Sequence, residues 1–423
     1  MARATLQHLG SEKKFNTPLA MISGSMGLFI IANALELQRN SLANVMFGVM
    51  VLVIVSSITL GLLRTRGVPR LGSAMTVWTV VLLAAFLQFP TAPHASFQQT
   101  IVDLVITLLP VGVAIAVGVW LDSRRQIAMV LIVVTVSSLI GAVLALFLGT
   151  SGSRISAPTI YAIVGTWLLA TARLPVELFS PEKQRVLRVL ALISAIGLLF
   201  IVLESRQRTA LAVWAVSCLV AIIFTMPRSS RWLLALAIVP VSFLGLAIGN
   251  MRIDLAESLP GVVEQARLGT LVAGQYTEAG GDRMPEIRDV AETMSREGGV
   301  LDYTLGFGHG ATYLPETSIG GASVDPETGR AHQIHVTPVM VWFRYGIVGV
   351  IAFAFLMAST VRSAYMVAKR ERGFNSMFLL LTAVMYCVDM LLRVSFVDPG
   401  FALTLALVAL YRYSPKFGGM QHG

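Results

Sequence analysis

The sequence predicts an all-α polytopic membrane protein with about twelve transmembrane helices and one large loop that carries short helices. Three observations support that prediction. The 423 residues are 55% hydrophobic and 13% charged, with a mean hydropathy of +0.75, whereas soluble domains carry roughly one quarter charged residues. Apolar runs of about 20 residues, the length that crosses a bilayer core, recur almost throughout. Residues 250–334 form one long polar segment between the ninth and tenth runs, so the chain divides into 1–249, 250–334 and 335–423.

Taken in order, the expected spans are 17–35, 41–63, 72–90, 101–121, 127–149, 157–172, 186–204, 209–227 and 232–249, then 336–360, 376–394 and 399–413. The first follows the basic stretch MARATLQHLGSEKKFN, shows no small-residue cleavage signature, and reads as a retained span. The sixth is short and ends in Ala-Thr-Ala-Arg. Pro110 and Pro240 fall inside spans, where membrane helices tolerate proline. Cys218 and Cys387 lie in apolar runs and read as small core residues, with no disulfide framework implied.

Basic residues set the orientation. With the N-terminus inside, Arg64, Arg66 and Arg70, then Arg124 and Arg125, then Arg173, Lys183, Arg185 and Arg188, then Arg228 and Arg231, and finally Arg362, Lys369, Arg370 and Arg372 all fall in cytoplasmic connections. That is the positive-inside pattern, and it places both termini in the cytoplasm. The segment 250–334 is then external. It holds 6 basic and 13 acidic residues, a net of −7, which leaves +16 for the remainder of a chain whose total is +9. The positive total is a topological signature, and no nucleic-acid partner is expected. Within the loop, one helix is expected around Arg252 to Val272. A second runs from Asp282 to Arg296, with Asp282 as N-cap, Pro285 in the first turn and Gly298-Gly299 as the stop.

Four stretches suggest chemistry. In LESRQRTALAVW, Arg206 and Arg208 stand at the external mouth between the seventh and eighth spans, where topology does not call for basic residues. They suit an anion, or else snorkel to water beside Glu204. In GDRMPEIRDVAETM, Arg283 stands in the first turn of a helix, where free N–H groups favour phosphate or pyrophosphate. Arg288 reads more simply as an i, i+4 partner of Glu292. In LGFGHGATY, the glycines Gly306, Gly308 and Gly310 permit a tight turn or close backbone approach near the bilayer surface, and His309 reads as a loop histidine. In HQIHVTPVMVWFRYGIVG, His335 leads the tenth span, with Gly346 and Gly349 roughly three and four turns along that helix. A lone histidine there is ordinarily interfacial. Convergence with Arg208 and Arg283 on one cavity would make it more.

No metal site is expected. The chain has no His-x-x-x-His on a helix and no paired cysteines, and His309, His332 and His335 have few carboxylates near them in sequence. Asp389 and Arg393, at i, i+4, form either an internal ion pair or a proton relay.

HQIHVTPVMVWFRYGIVGVIAF resembles the region of bacterial O-antigen ligases and O-antigen polymerases in which a histidine leads a span and a Gly-aliphatic-aliphatic-Gly follows eleven residues on, the spacing of His335 and Gly346. GFGHG is similar to the family's Gly-x-Gly-x-Gly, GDRMPEIRDVA to its Arg-led loop helix, and SRQRTALAVW to the entry of an earlier span. The motifs cover Glu204 to Gly349. Val336 replaces the usual Asn, Arg344 stands where an acidic residue is common, and Ile287 stands where Trp is common.

The resemblance implies a GT-C-like glycosyltransferase of the bacterial inner membrane that works without metal or cofactor. It would take a glycan from undecaprenyl pyrophosphate at the periplasmic face. The acceptor would be lipid A-core in a ligase, or a second lipid-linked repeat unit in a polymerase, and both stay open. Carried onto this chain, Arg208 and Arg283 bind the donor pyrophosphate, Arg206 and Arg288 are secondary, and His335 is the general base or positions the acceptor. A secondary transporter of a small anion or of the lipid-linked glycan, centred on Asp389 and Arg393, is the alternative.

Overall fold

The computed structural model describes residues 16–34, 42–64, 69–88, 96–147, 158–171, 180–204, 283–315, 324–325, 328–332, 334–371, 373–392 and 398–413. Within them lie α1 (Thr17–Ala34), α2 (Leu42–Leu63), α3 (Ser73–Leu87), α4 (Phe97–Trp120), α5 (Arg124–Phe147), α6 (Pro158–Thr171) and α7 (Pro181–Glu204). The loop then supplies α8 (Arg283–Glu297) and α9 (Val300–Leu305), and the chain continues through α10 (Thr337–Arg370), α11 (Phe374–Leu392) and α12 (Pro399–Tyr413). Isolated bridges from Ala331 to Tyr313 and to Val324 are the β-type pairing among the described residues.

Four of these helices are long and apolar enough to cross a membrane, within Asn44–Leu63, Phe97–Trp120, Arg124–Leu144 and Thr337–Arg370, and shorter apolar helices accompany them. Helices occupy ten of the twelve expected span positions. The expected spans 209–227 and 232–249, the loop helix around Arg252 to Val272, Cys218, Pro240, the N-cap Asp282 and Arg393 lie outside the described residues.

Between apolar helices in lipid, close van der Waals contact replaces the hydrophobic drive of water. Accordingly, α1 packs on α2 and α5, α4 on α2 and α12, and α10 on α3, α9 and α11. Gly165 of α6 comes so near Thr135 of α5 that a Cβ would overlap that side chain. Trp78 of α3 is fully buried, with Tyr345 edge-on at 5.7 Å and Phe353 tilted at 5.6 Å, both from α10.

Two expectations about α10 are corrected. Its end was expected at 360, yet it runs to Arg370, because Val361–Arg370 contains no breaker and keeps Ser363, Ala364 and Ala368 buried at helical spacing. Nor is α10 one continuous helix through Gly349, since Gly346 adopts φ 59°, ψ −164° and kinks it.

That kink is matched by the glycine-rich loop. The carbonyls of Phe343 and Arg344, whose regular i+4 partners lie beyond the kink, accept from the N–H groups of Phe307 and Gly308 at 2.9 Å each. Broken helices survive at membrane depth only when such groups find partners. The approach needs glycine on both sides: a Cβ at Gly306 would strike the Arg344–Tyr345 backbone, and one at Gly346 would strike Thr304.

Candidate active site

The amphipathic helix α8 buries Glu286, Asp289, Val290, Thr293 and Met294, a spacing of three and four residues that defines one face. The chain after α9 is held against that face. Thr293 Oγ1 accepts from Leu314 N–H at 3.1 Å, and Tyr313 and Ala331 exchange N–H···O bonds at 2.9 Å. Arg330, buried, donates through both Nη atoms to Glu297 at 2.9 and 2.8 Å, and its Nε donates to Thr312 Oγ1 at 3.0 Å. This bidentate clamp fixes the point from which His332 and His335 project.

His335, half-buried, meets Glu286 twice. Its backbone N–H donates to Glu286 Oε1 at 2.8 Å, and its ring Nδ1 lies 3.0 Å from the same oxygen. With Glu286 ionised its oxygen can only accept, so Nδ1 carries the hydrogen and, in the neutral ring, Nε2 keeps its lone pair. Nε2 has no partner among the described residues. An imidazole with its inner nitrogen tied to a carboxylate and its outer nitrogen free to take a proton is a competent general base.

His332 forms a second imidazole–carboxylate pair three residues earlier. Its Nε2 lies 3.2 Å from Asp103 Oδ1, and the buried Nδ1 has no partner among the described residues. Asp103 is itself buried on α4. It accepts from Gly310 N–H at 2.8 Å and pairs with Arg344 Nη1 at 3.0 Å, while Arg344 Nη2 donates to the His332 carbonyl at 3.0 Å. Buried charges persist only when paired and hydrogen-bonded, a condition this group meets.

His309 is fully buried, which corrects its reading as a simple loop histidine. Its Nε2 lies 3.0 Å from the Leu82 carbonyl and its Nδ1 3.3 Å from the Tyr345 hydroxyl. The carbonyl can only accept, so Nε2 donates and Nδ1 accepts from Tyr345. Burial pushes the His309 imidazolium down to about 4, and the nearby Arg344 pushes the same way. The ring is therefore neutral near pH 7.

The expected site residues fare differently. Arg283 opens α8, one turn before Glu286, so its backbone is brought beside His335. Arg206 and Arg208 lie outside the described residues. Arg288 is exposed, and at about 100° per residue it stands roughly 200° around α8 from Glu286. Its expected partner Glu292 pairs instead with Arg296 at 3.4 Å. No group of three or more metal-ligating side chains occurs among the described residues.

Sequence reasoning assigned no role to Asp103, Glu286 or His332. Asp103 carried a usable signal, since an ionisable residue within the apolar run TIVDLVITLL marks a functional or paired position. Arg344, noted only as a departure from the family pattern, is the partner of that aspartate. No protein-family model matches the chain and no curated protein matches it, which leaves the residues themselves to support a functional reading.

Proposed function

We propose that this chain is a membrane glycosyltransferase of the O-antigen ligase or polymerase type, moving a glycan from undecaprenyl pyrophosphate to an acceptor sugar at the periplasmic face of the inner membrane. The observation behind the reading is that the first turn of α8, which Arg283 opens, is fastened to His335 through Glu286. A cationic residue at a helix N-terminus and a base with a free Nε2 thus share one end of the bundle.

In the proposed reaction, the acceptor O–H breaks and its proton passes to His335 Nε2. The acceptor oxygen forms the new bond to the anomeric carbon. The bond from that carbon to the pyrophosphate oxygen breaks, and its electron pair leaves with undecaprenyl pyrophosphate. Arg283, with Arg208 and Arg206 as expected from the sequence, neutralises the departing charge, which guanidinium groups do through paired hydrogen bonds.

The test is full-length protein in proteoliposomes with lipid-pyrophosphate glycan donor, chelator and no ATP, offered lipid A-core and a second lipid-linked repeat unit in competition. Product is expected, and the acceptor consumed separates ligase from polymerase. His335→Ala and Arg283→Ala should each lower transfer by about 100-fold or more, the usual worth of a general base or an oxyanion-type contact. Unchanged transfer in both variants overturns the reading. A transporter remains the second reading because α10 is broken at Gly346 beside a buried Asp103–Arg344 pair, and broken spans with nearby charges mark transport sites. Donor or anion flux without product selects it.

A further inference from the structure

We propose that Glu286 is the positioning residue of the site, fixing His335 in the Nδ1–H tautomer so that Nε2 faces the acceptor hydroxyl as general base. The proposal rests on the glycosyl-transfer reading and deepens it by naming the group that orients its base.

The geometry supports it in three ways. Glu286 Oε1 accepts from both the backbone N–H and the ring of His335, at 2.8 and 3.0 Å, which fixes the residue's backbone as well as its imidazole plane. Glu286 is 4% exposed, and a carboxylate so buried needs hydrogen-bond donors, of which His335 supplies two. The side chain of His335 keeps 20% of its surface accessible, and Nε2 has no partner among the described residues.

Among the described residues, the charged group in contact with His335 is a carboxylate. Glu286 is in contact from α8, and Arg283 opens the same turn. The Asp103–Arg344 pair on α4 and α10 contacts the same segment at His332. When Nε2 takes the acceptor proton, the imidazolium forms against an ionised Glu286, which stays a carboxylate throughout. A neutral partner would offer no such stabilisation.

The test compares wild-type protein with Glu286→Gln, Glu286→Asp and His335→Ala in the reconstituted transfer assay across pH 5 to 9. Glu286→Gln should lower kcat by about 100-fold with KM nearly unchanged, on the scale of losing an oriented base. Its acidic limb should move to lower pH. Glu286→Asp, which keeps the carboxylate, should recover part of the rate and the wild-type limb. A reading independent of activity is the ¹⁵N-imidazole spectrum of wild-type protein, assigned by loss of the signal in His335→Ala. His335 should show a protonated Nδ1 and an unprotonated Nε2 above its titration. A protonated Nε2 there overturns the proposal even if every Glu286 variant fails to fold. Product from wild-type protein with Glu286→Gln unchanged in kcat and pH profile overturns the Glu286 assignment alone. No product from wild-type protein with any acceptor overturns the glycosyl-transfer reading and the assignment with it.

Discussion

At His309 the neutral ring is a folding requirement, because Leu82 takes its Nε2 hydrogen and Tyr345 fills its Nδ1 lone pair. Its folded value of about 4 lies below the ordinary 6.5, so between those values the unfolded chain binds the proton and the folded chain does not. Stability is therefore complete above pH 6.5 and falls as the pH drops toward 4, at on the order of 1 kcal/mol per unit. Thermal unfolding in detergent at pH 7 and pH 5 should show a larger drop for wild type than for His309→Gln, which keeps a donor and an acceptor but does not titrate. An equal drop in both would show that other groups dominate. The same scale shows why the site was only partly legible. His335 was readable because it stands alone at the lip of an apolar run. Its partner Glu286 was not, because 49 residues separate the two and nothing in a one-dimensional pattern pairs them.

Between elements, α10 and the glycine-rich loop form one device. The loop donates to two carbonyls near the kink, and the kink brings Tyr345 to His309 and Arg344 to Asp103. Gly306 and Gly346 hold backbone angles that L side chains rarely adopt, at φ 78° and φ 59°, and both face backbone atoms that cannot yield. Gly306→Ala and Gly346→Ala should each cost about 2 kcal/mol or more, read as loss of folded protein or a lower thermal midpoint. The sequence showed that close approach was wanted at Gly306, Gly308 and Gly310, but not what approached, and a kink opposite them cannot be read from helical periodicity. A second measurement addresses the ion pair. Asp103→Asn or Arg344→Gln alone leaves a buried charge unmatched and should cost about 3–5 kcal/mol. The double variant should cost less than the sum of the two, by about 1–3 kcal/mol. Strict additivity would mean that the two groups do not sense each other.

Over the whole molecule, the hydrophobic runs located helices at ten of the twelve expected positions because an apolar stretch near 20 residues long needs no tertiary context to be read. What they could not locate was the far end of α10, where buried small residues rather than apolarity carry the helix onward. Beyond the kink at Gly346, residues 347–370 of α10 span about 36 Å at 1.5 Å per residue, longer than a hydrocarbon core of roughly 30 Å. A helix of that length that crosses the bilayer places its two ends on opposite sides. The charge division, −7 for residues 250–334 and +16 for the rest, predicts that residues 250–334 lie outside. In a background with Cys218 and Cys387 replaced by Ala, Thr328→Cys in the exposed loop turn should react with an impermeant maleimide on intact spheroplasts. Lys369→Cys, exposed in the last turn of α10, should react only after lysis. The reverse pattern would put His335 and Arg283 on the cytoplasmic side, where a donor displayed to the periplasm could not reach them. Labelling of both in intact spheroplasts would show that α10 does not cross.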